Sequence, residues 1–151
     1  MLDQFTDDGV IVEKAIGFWI NRVYQSTRAE MYRLFAEQGE EVTPEQWMVL
    51  IRLWEKDAVS QSELSDATLR DAPTMSRILR GMEARGIVQR RRSAEDARVQ
   101  TVHLTRRGRA LKDKLVPVAR ALVARVVRGI DAADIATTRS TLIRMFENMQ
   151  P

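Results

Sequence analysis

The chain has 151 residues, 44% hydrophobic and 30% charged, which suffices for one ordinary core and gives no reason to divide it into two domains. It holds no cysteine and a single histidine, His103, so disulfides, thiol switching and thiolate metal sites are excluded and no metal or other cofactor is expected. No apolar run approaches the roughly 18 residues of a membrane span, and the acidic first residues lack the basic and apolar regions of a secretion signal, so a cytoplasmic protein with no membrane partner is expected.

The net charge of +3 is small, but its distribution along the chain is uneven. Residues 1–69 carry 6 basic against 13 acidic side chains, whereas residues 70–109 carry 11 arginines, no lysine and 4 acidic side chains. Guanidinium forks bind oxyanions bidentately and also reach base edges, so this block suits a phosphate-bearing partner; the alternative is a solvated charged surface.

From Val10 to Phe35 apolar residues recur three or four apart, which predicts a long amphipathic helix. Thr43, Pro44 and Gln46 supply an N-cap, a first-turn proline and a capping-box partner for a second helix, whose apolar residues cover more than one face. Ser60 and Glu63 form a second capping box, opening a short third helix that turns Leu64 and Ala67 inward. After a turn at Leu69–Asp71, Asp71 caps a fourth helix with Met75, Ile78, Leu79 and Met82 as its apolar stripe and Gly86 as its left-handed terminus. Two short helices joined by a tight turn read as a helix-turn-helix, the second helix entering the major groove.

Residues 87–92 and 98–104 are rich in branched side chains and flank a polar stretch, which predicts two strands and a loop, a wing behind the recognition helix. Thr105 caps a fifth helix running to about Arg128, where Pro117 predicts a kink, and Asp131 caps a last helix whose apolar residues alternate at threes and fours. The fold class expected is mainly α: a winged helix-turn-helix with a two-stranded wing and long N- and C-terminal dimerisation helices. The expected divisions are 1–40, 41–108 and 109–151 within one continuous fold unit. The outer helices hold more apolar face than the central unit can cover, which points to a symmetric homodimer.

The segment Ser60–Gly108 resembles the MarR family of bacterial transcriptional regulators. The likeness is carried by SerGlnSerGluLeuSer, ProThrMetSerArgIleLeu, MetGluAlaArgGlyIleValGlnArg and, at the wing, Asp96-Ala97-Arg98 followed by LeuThrArgArgGly. Two departures are Gly81 inside the recognition helix and the absence of the cysteine used by oxidant-sensing members. The resemblance implies that Arg98 enters the minor groove, where narrow A·T-rich stretches draw arginine in, and Asp96 is assigned to orient Arg98 by an ion pair. It also implies a cleft for a small aromatic or phenolic ligand, with Trp19, Arg22, Tyr24, Trp47, Met48 and Arg52 as candidate lining residues.

Because the apolar stripe faces inward, Thr74, Ser76, Arg77 and Arg80 fall on the opposite face of the recognition helix as candidate base and phosphate contacts. Arg90, Arg91 and Arg92 are candidate backbone contacts on the rising strand. Together these predict a homodimeric DNA-binding regulator, a repressor, on a pseudo-palindromic operator with half-sites about 10 bp apart, released by a small effector. The competing expectation is a structural DNA-binding protein without operator preference or effector. An enzyme is not expected: there is no glycine-rich phosphate loop, no cysteine nucleophile and no histidine beyond His103.

Overall fold

The structure is a computed structural model that describes residues 4–6 and 9–150; the remaining residues, including the start of the amino-terminal region delimited above, lie outside the described residues. In chain order the elements are β1 (Phe5–Thr6), β2 (Gly9–Val10), a 3₁₀ turn (Val12–Lys14), α1 (Ile16–Glu37), α2 (Pro44–Glu55), β3 (Val59–Ser60), α3 (Gln61–Thr68), α4 (Ala72–Ala84), β4 (Val88–Arg92), β5 (Gln100–Leu104), α5 (Arg106–Val126) and α6 (Ala132–Glu147). None of the helices among the described residues is long and apolar enough to cross a membrane.

The first helix begins six residues later than its apolar spacing predicts. Val10 lies in a two-stranded hairpin with Phe5, Val12 in the 3₁₀ turn, and the helix opens at Ile16 behind Ala15, which has no side chain to cap it. The next three helix starts follow their sequence signals. The Thr43 and Ser60 boxes are closed reciprocally by Gln46 and Glu63, and the Asp71 carboxylate accepts from Thr74 N at 2.7 Å, so three sets of otherwise orphaned amides are satisfied locally. The turn between α3 and α4 passes through Leu69 at φ 52°, an exposed leucine in left-handed backbone, closed by Arg70 N donating to Ser65 O at 3.0 Å.

In α3 the inward face differs from expectation. Leu64 is buried, but Ala67 is exposed and Ser65 takes the inner position in this helix of only eight residues. In α4 the stripe Met75, Ile78, Leu79 and Met82 is buried as expected, and Gly86 sits at φ 65°, a left-handed end that glycine adopts without Cβ strain.

The wing is part of a three-stranded antiparallel sheet rather than a two-stranded one. β5 is central, pairing Val102 with Arg90 on one side and with Val59 on the other. The extra strand is two residues long, too short to announce itself by alternation. Asp57 fastens this corner: its carboxylate accepts from Leu104 N at 2.8 Å and Ala58 N at 2.9 Å and pairs with Arg109 at 2.7 Å.

α5 starts at a crowded joint. Thr105 Oγ1 accepts from Gly108 N at 3.0 Å and donates to Gly86 O at 2.6 Å, while Trp54 Nε1 donates to Gly108 O at 2.9 Å. A Cβ added to Gly108 would stand 2.2 Å from the Ile87 carbonyl oxygen, so only glycine fits. The helix then runs unbroken through Pro117, which lies on its exposed side.

One core connects all parts: Met31 and Phe35 of α1, Val49, Leu50 and Leu53 of α2, the α4 stripe, the inner sheet residues, and Leu111, Leu115 and Leu122 of α5. Its rim is held by Glu40 in the α1–α2 turn, which pairs with Lys114 at 3.0 Å and Arg107 at 3.2 Å on α5 and reaches Arg85 at the end of α4 at 4.0 Å. Burial raises the Glu40 carboxyl pKa, but the hydrogen bonds and charges of Lys114 and Arg107 outweigh it and hold the group below the ordinary 4.5. By contrast α6 buries no residue, and its Leu142, Ile143 and Phe146 stand exposed, as do Trp19, Ile20 and Val23 on α1.

The two central glycines should respond oppositely to alanine. Gly108→Ala is expected to lower stability by ~1–3 kcal/mol through the clash with Ile87 O. Gly81→Ala, whose Cβ would meet only Gln46 Nε2 at an ordinary 3.5 Å, should raise it by about 0.5–1 kcal/mol. Thermal unfolding distinguishes them, and a stabilising Gly108→Ala would contradict the crowded joint.

A depressed folded pKa means that the Glu40 contribution is complete above the ordinary carboxyl value and disappears as pH falls through the folded one. The stability difference between the wild type and Glu40→Gln should therefore be largest near about pH 7 and shrink toward about pH 3, read from urea midpoints. A difference independent of pH would assign the effect to packing.

Candidate nucleic-acid interface

Around the α4 axis the buried stripe leaves Arg77 and Arg80 as the outermost side chains, both exposed, with Thr74 and Ser76 half-buried on opposite flanks. Thr74 and Arg77 line a recess against α2 with Thr43, Gln46 and Gly81. Ser76 turns the other way, into a groove of about 840 Å³ between α3, the start of α4 and the wing. Arg70, Arg90 and Arg98 line the same groove, facing Gln61 and Ser62 of α3. The groove thus brings together the recognition helix and the wing, while Arg77 and Arg80 stand on the convex ridge beside it.

The arginines of this block divide by whether a carboxylate has claimed them. Arg85, Arg107 and Arg109 are paired with Glu40 and Asp57 on the rear of the unit. Among the described residues, Arg77, Arg80, Arg91, Arg92 and Arg98 form no ion pair and their guanidinium groups make no hydrogen bond. Unneutralised, clustered guanidinium groups raise the positive potential over a surface and attract polyanions.

Arg90 stands apart from its two neighbours. Its Nε and Nη2 donate to Glu83 Oε2 at 3.0 and 2.7 Å, and its backbone N donates to Glu83 Oε1 at 2.9 Å. The three arginines are held differently: alternation along β4 sends Arg91 to the open face, whereas Arg90 turns toward α4, where Glu83 holds it. The Arg90 guanidinium in turn keeps the Glu83 carboxyl below its ordinary pKa, mainly through the side-chain hydrogen bond.

Asp96 also departs from its expected role. Its carboxylate accepts from the Arg98 backbone N at 2.9 Å, its carbonyl accepts from Val99 N at 2.9 Å, and no ion pair joins the Asp96 and Arg98 side chains. Asp96 is a turn-forming residue: the short carboxylate closes the loop two residues on, leaving the Arg98 guanidinium exposed at the tip. His103 is half-buried, its Nε2 lying 2.9 Å from Thr101 Oγ1.

The candidate ligand-cleft residues do not converge within one chain. Trp47 packs at the core edge, 5.0 Å from Phe35 and 5.5 Å from Trp54 between ring centroids, and Arg52 pairs with Glu55 on the outside of α2. Trp19 donates to Glu13 O at 2.8 Å, with Arg22 over its ring. Tyr24 and Met48 meet in a separate recess of about 190 Å³ shared with Arg28, Glu45, Arg70 and Ile78.

A helix-turn-helix whose second helix is followed by a sheet and an arginine-tipped loop defines a winged helix-turn-helix fold. The model of the MarR family matches residues 42–99, from the end of the α1–α2 turn to the wing tip, and the fold around this segment is a winged helix-turn-helix. It is 37% identical over 75 residues to the HTH-type transcriptional regulator TtmR of Methylorubrum extorquens, covering 50% of this chain and 38% of TtmR. It is 32% identical over 77 residues to the organic hydroperoxide resistance transcriptional regulator of Bacillus subtilis, covering 51% of this chain and 52% of that one. The chain thus spans about half or less of the length of these two relatives. The HTH-type transcriptional repressor IacR of Pseudomonas putida is 29% identical over 133 residues, with 88% of this chain and 78% of IacR covered.

Among solved structures, a MarR-family regulator from Silicibacter pomeroyi superposes with a TM-score of 0.77 at 27% identity, with 93% of each chain covered. The S. aureus MepR–DNA complex gives a TM-score of 0.80 at 19% identity over 91% of this chain and 99% of that one, a likeness of fold. The family and these relatives are transcriptional regulators, not enzymes.

If Asp96 shapes the loop rather than neutralising Arg98, Asp96→Asn, which keeps an oxygen acceptor for the Arg98 amide, should retain most duplex affinity. Asp96→Ala should lose about 1 kcal/mol of it by releasing the turn. Titration of a labelled duplex separates the two, and equal losses would restore the charge pairing.

Proposed function

We propose that the chain is a homodimeric transcriptional repressor that binds a pseudo-palindromic operator, with α4 in the major groove and the wing tip in the adjoining minor groove. The observation that carries this reading is the coincidence of five unpaired arginines, Arg77, Arg80, Arg91, Arg92 and Arg98, on the ridge and wing of one winged unit. Arg77, outermost on the recognition helix, is placed to fork onto guanine O6 and N7. Arg80, Arg91 and Arg92 take phosphates, and Thr74 and Ser76 assist from the flanks.

Homodimerisation is the reading of the uncovered apolar faces. Trp19, Ile20 and Val23 on α1, Val123 and Val126 on α5 and Leu142, Ile143 and Phe146 on α6 are each exposed, and apolar faces left open in this way mark interaction surfaces. A second copy covers such faces by twofold symmetry and sets two recognition helices one helical turn of DNA apart.

A small aromatic effector fits the Tyr24–Met48 recess in chemistry, and a carboxylate on it would reach Arg28 by displacing Glu45. The recess touches Arg70 and Ile78 at the start and middle of the recognition element, so a ligand that binds better at one spacing of the two reading heads shifts their population.

Selecting bound fragments from the organism's genome, then measuring affinity for the selected and a scrambled duplex at physiological salt, tests the reading. A dimeric mass in solution and a specific-to-random ratio of about 10³ or more are expected. In this assay Arg98→Ala should cost ~1–3 kcal/mol, and Arg77→Ala should alter sequence preference as well. A ratio near one would mean DNA coating without an operator, and a monomer would remove the twofold site.

A further inference from the structure

The Glu83–Arg90–Ser76 cluster at the junction of the recognition helix and the wing carries a role that none of its members has alone. We propose that Glu83 is a positioning residue for duplex binding, holding Arg90 so that its free Nη1 edge and the Ser76 hydroxyl form a seat for one backbone phosphate. The proposal rests on the DNA-binding reading above.

A guanidinium presents five N–H donors in a rigid plane. In Arg90 the Nε and Nη2 donors face Glu83 Oε2 at 3.0 and 2.7 Å, and the backbone N is held by Glu83 Oε1 at 2.9 Å. Three contacts to one carboxylate fix the strand, the side chain and its rotation together. The remaining nitrogen, Nη1, lies 3.5 Å from Ser76 Oγ, at the limit of hydrogen bonding, so both groups keep capacity for a further partner. Arg90 and Ser76 line the groove between α3, α4 and the wing, whereas Glu83 does not. The carboxylate thus sits behind the guanidinium and the donors in front.

An oxyanion in front accepts from Nη1 and from the Ser76 O–H, both charge-assisted. Arg70 and Arg98 on the same groove add positive potential, offsetting the carboxylates of Asp66 and Asp71, which also line it. Pairing with Glu83 also removes the rotamer freedom that a free arginine loses on binding. For Arg90, this ordering is complete before DNA arrives.

The proposal fixes the sign of one experiment. Glu83→Gln removes a negative charge beside a polyanion, and bulk electrostatics alone would tighten binding. The positioning role requires the opposite. Titrating a labelled duplex with the full-length protein, Glu83→Gln and Arg90→Ala should each weaken binding about tenfold. Each should reduce the salt slope of log affinity by about one, the loss of a single phosphate contact. The double variant should be no weaker than Arg90→Ala, because the two act as one unit.

Unchanged or tighter binding by Glu83→Gln, or losses that multiply in the double variant, would overturn the seat. Arg90→Lys guards against a folding artefact, since it keeps the charge but cannot face Glu83 and the groove with separate edges. It should match Glu83→Gln in affinity at an unaltered melting temperature, and wild-type affinity would count against the proposal. A wild-type protein that binds no duplex would instead remove the DNA-binding reading itself.

Discussion

The orientation of the wing depends on one contact, the approach of α5 to the Ile87 carbonyl at Gly108. Thr105 caps α5 and simultaneously reaches back to Gly86 O, so the end of the recognition helix, the first wing strand and the start of the long helix share one hydrogen-bonded knot. Trp54 closes it from α2. The Leu-Thr-x-x-Gly signature is therefore geometric: threonine supplies the hydroxyl that binds both sides, and glycine supplies the missing atom. A side chain here would push α5 away and carry the wing with it.

Carboxylates then decide what each arginine does. Glu40 and Asp57 draw Arg85, Arg107 and Arg109 to the rear, where they tie α4 and α5 to the α1–α2 turn and the sheet corner. Glu45 takes Arg28 at 2.5 Å and lies 3.9 Å from Arg70. Of the arginines in this block without an ion pair, Arg106 stands at the start of α5 and the other five on the ridge and the wing. The acidic first half of the sequence serves partly as a filter on the basic middle, which is why counting arginines overstates the interface.

The reading elements were largely legible because their signals are local. Capping boxes at Thr43 and Ser60, the Asp71 cap, the α4 stripe and the glycine stop at Gly86 each involve residues within a turn of one another. The misjudged parts depend on partners distant in sequence or on elements too short for a period. β3 is two residues set against β5 across some forty residues of chain, and the hairpin before α1 has apolar residues that happen to continue the helical spacing. Ser65 replaced Ala67 inside α3, a helix of only eight residues. Asp96 was read as a charge and acts as a turn former, a distinction visible only once the Arg98 amide is located. Glu83 belongs to the MetGluAlaArgGly run but its role is not legible there: seven residues from Arg90, it becomes its neighbour only after the chain reverses at Gly86.

α6 is sixteen residues long and has no side chain buried behind it. A segment of that length is marginal as a helix in water unless something covers its apolar face. When that cover comes from another copy of the chain, helical order becomes a question of mass action, since dilution removes the surface on which the helix leans. Such a protein reports its own abundance: scarce molecules fray at the carboxyl end and are exposed to proteolysis, while plentiful ones protect each other, and occupancy of a target falls more steeply with cellular dose than a preassembled unit would allow.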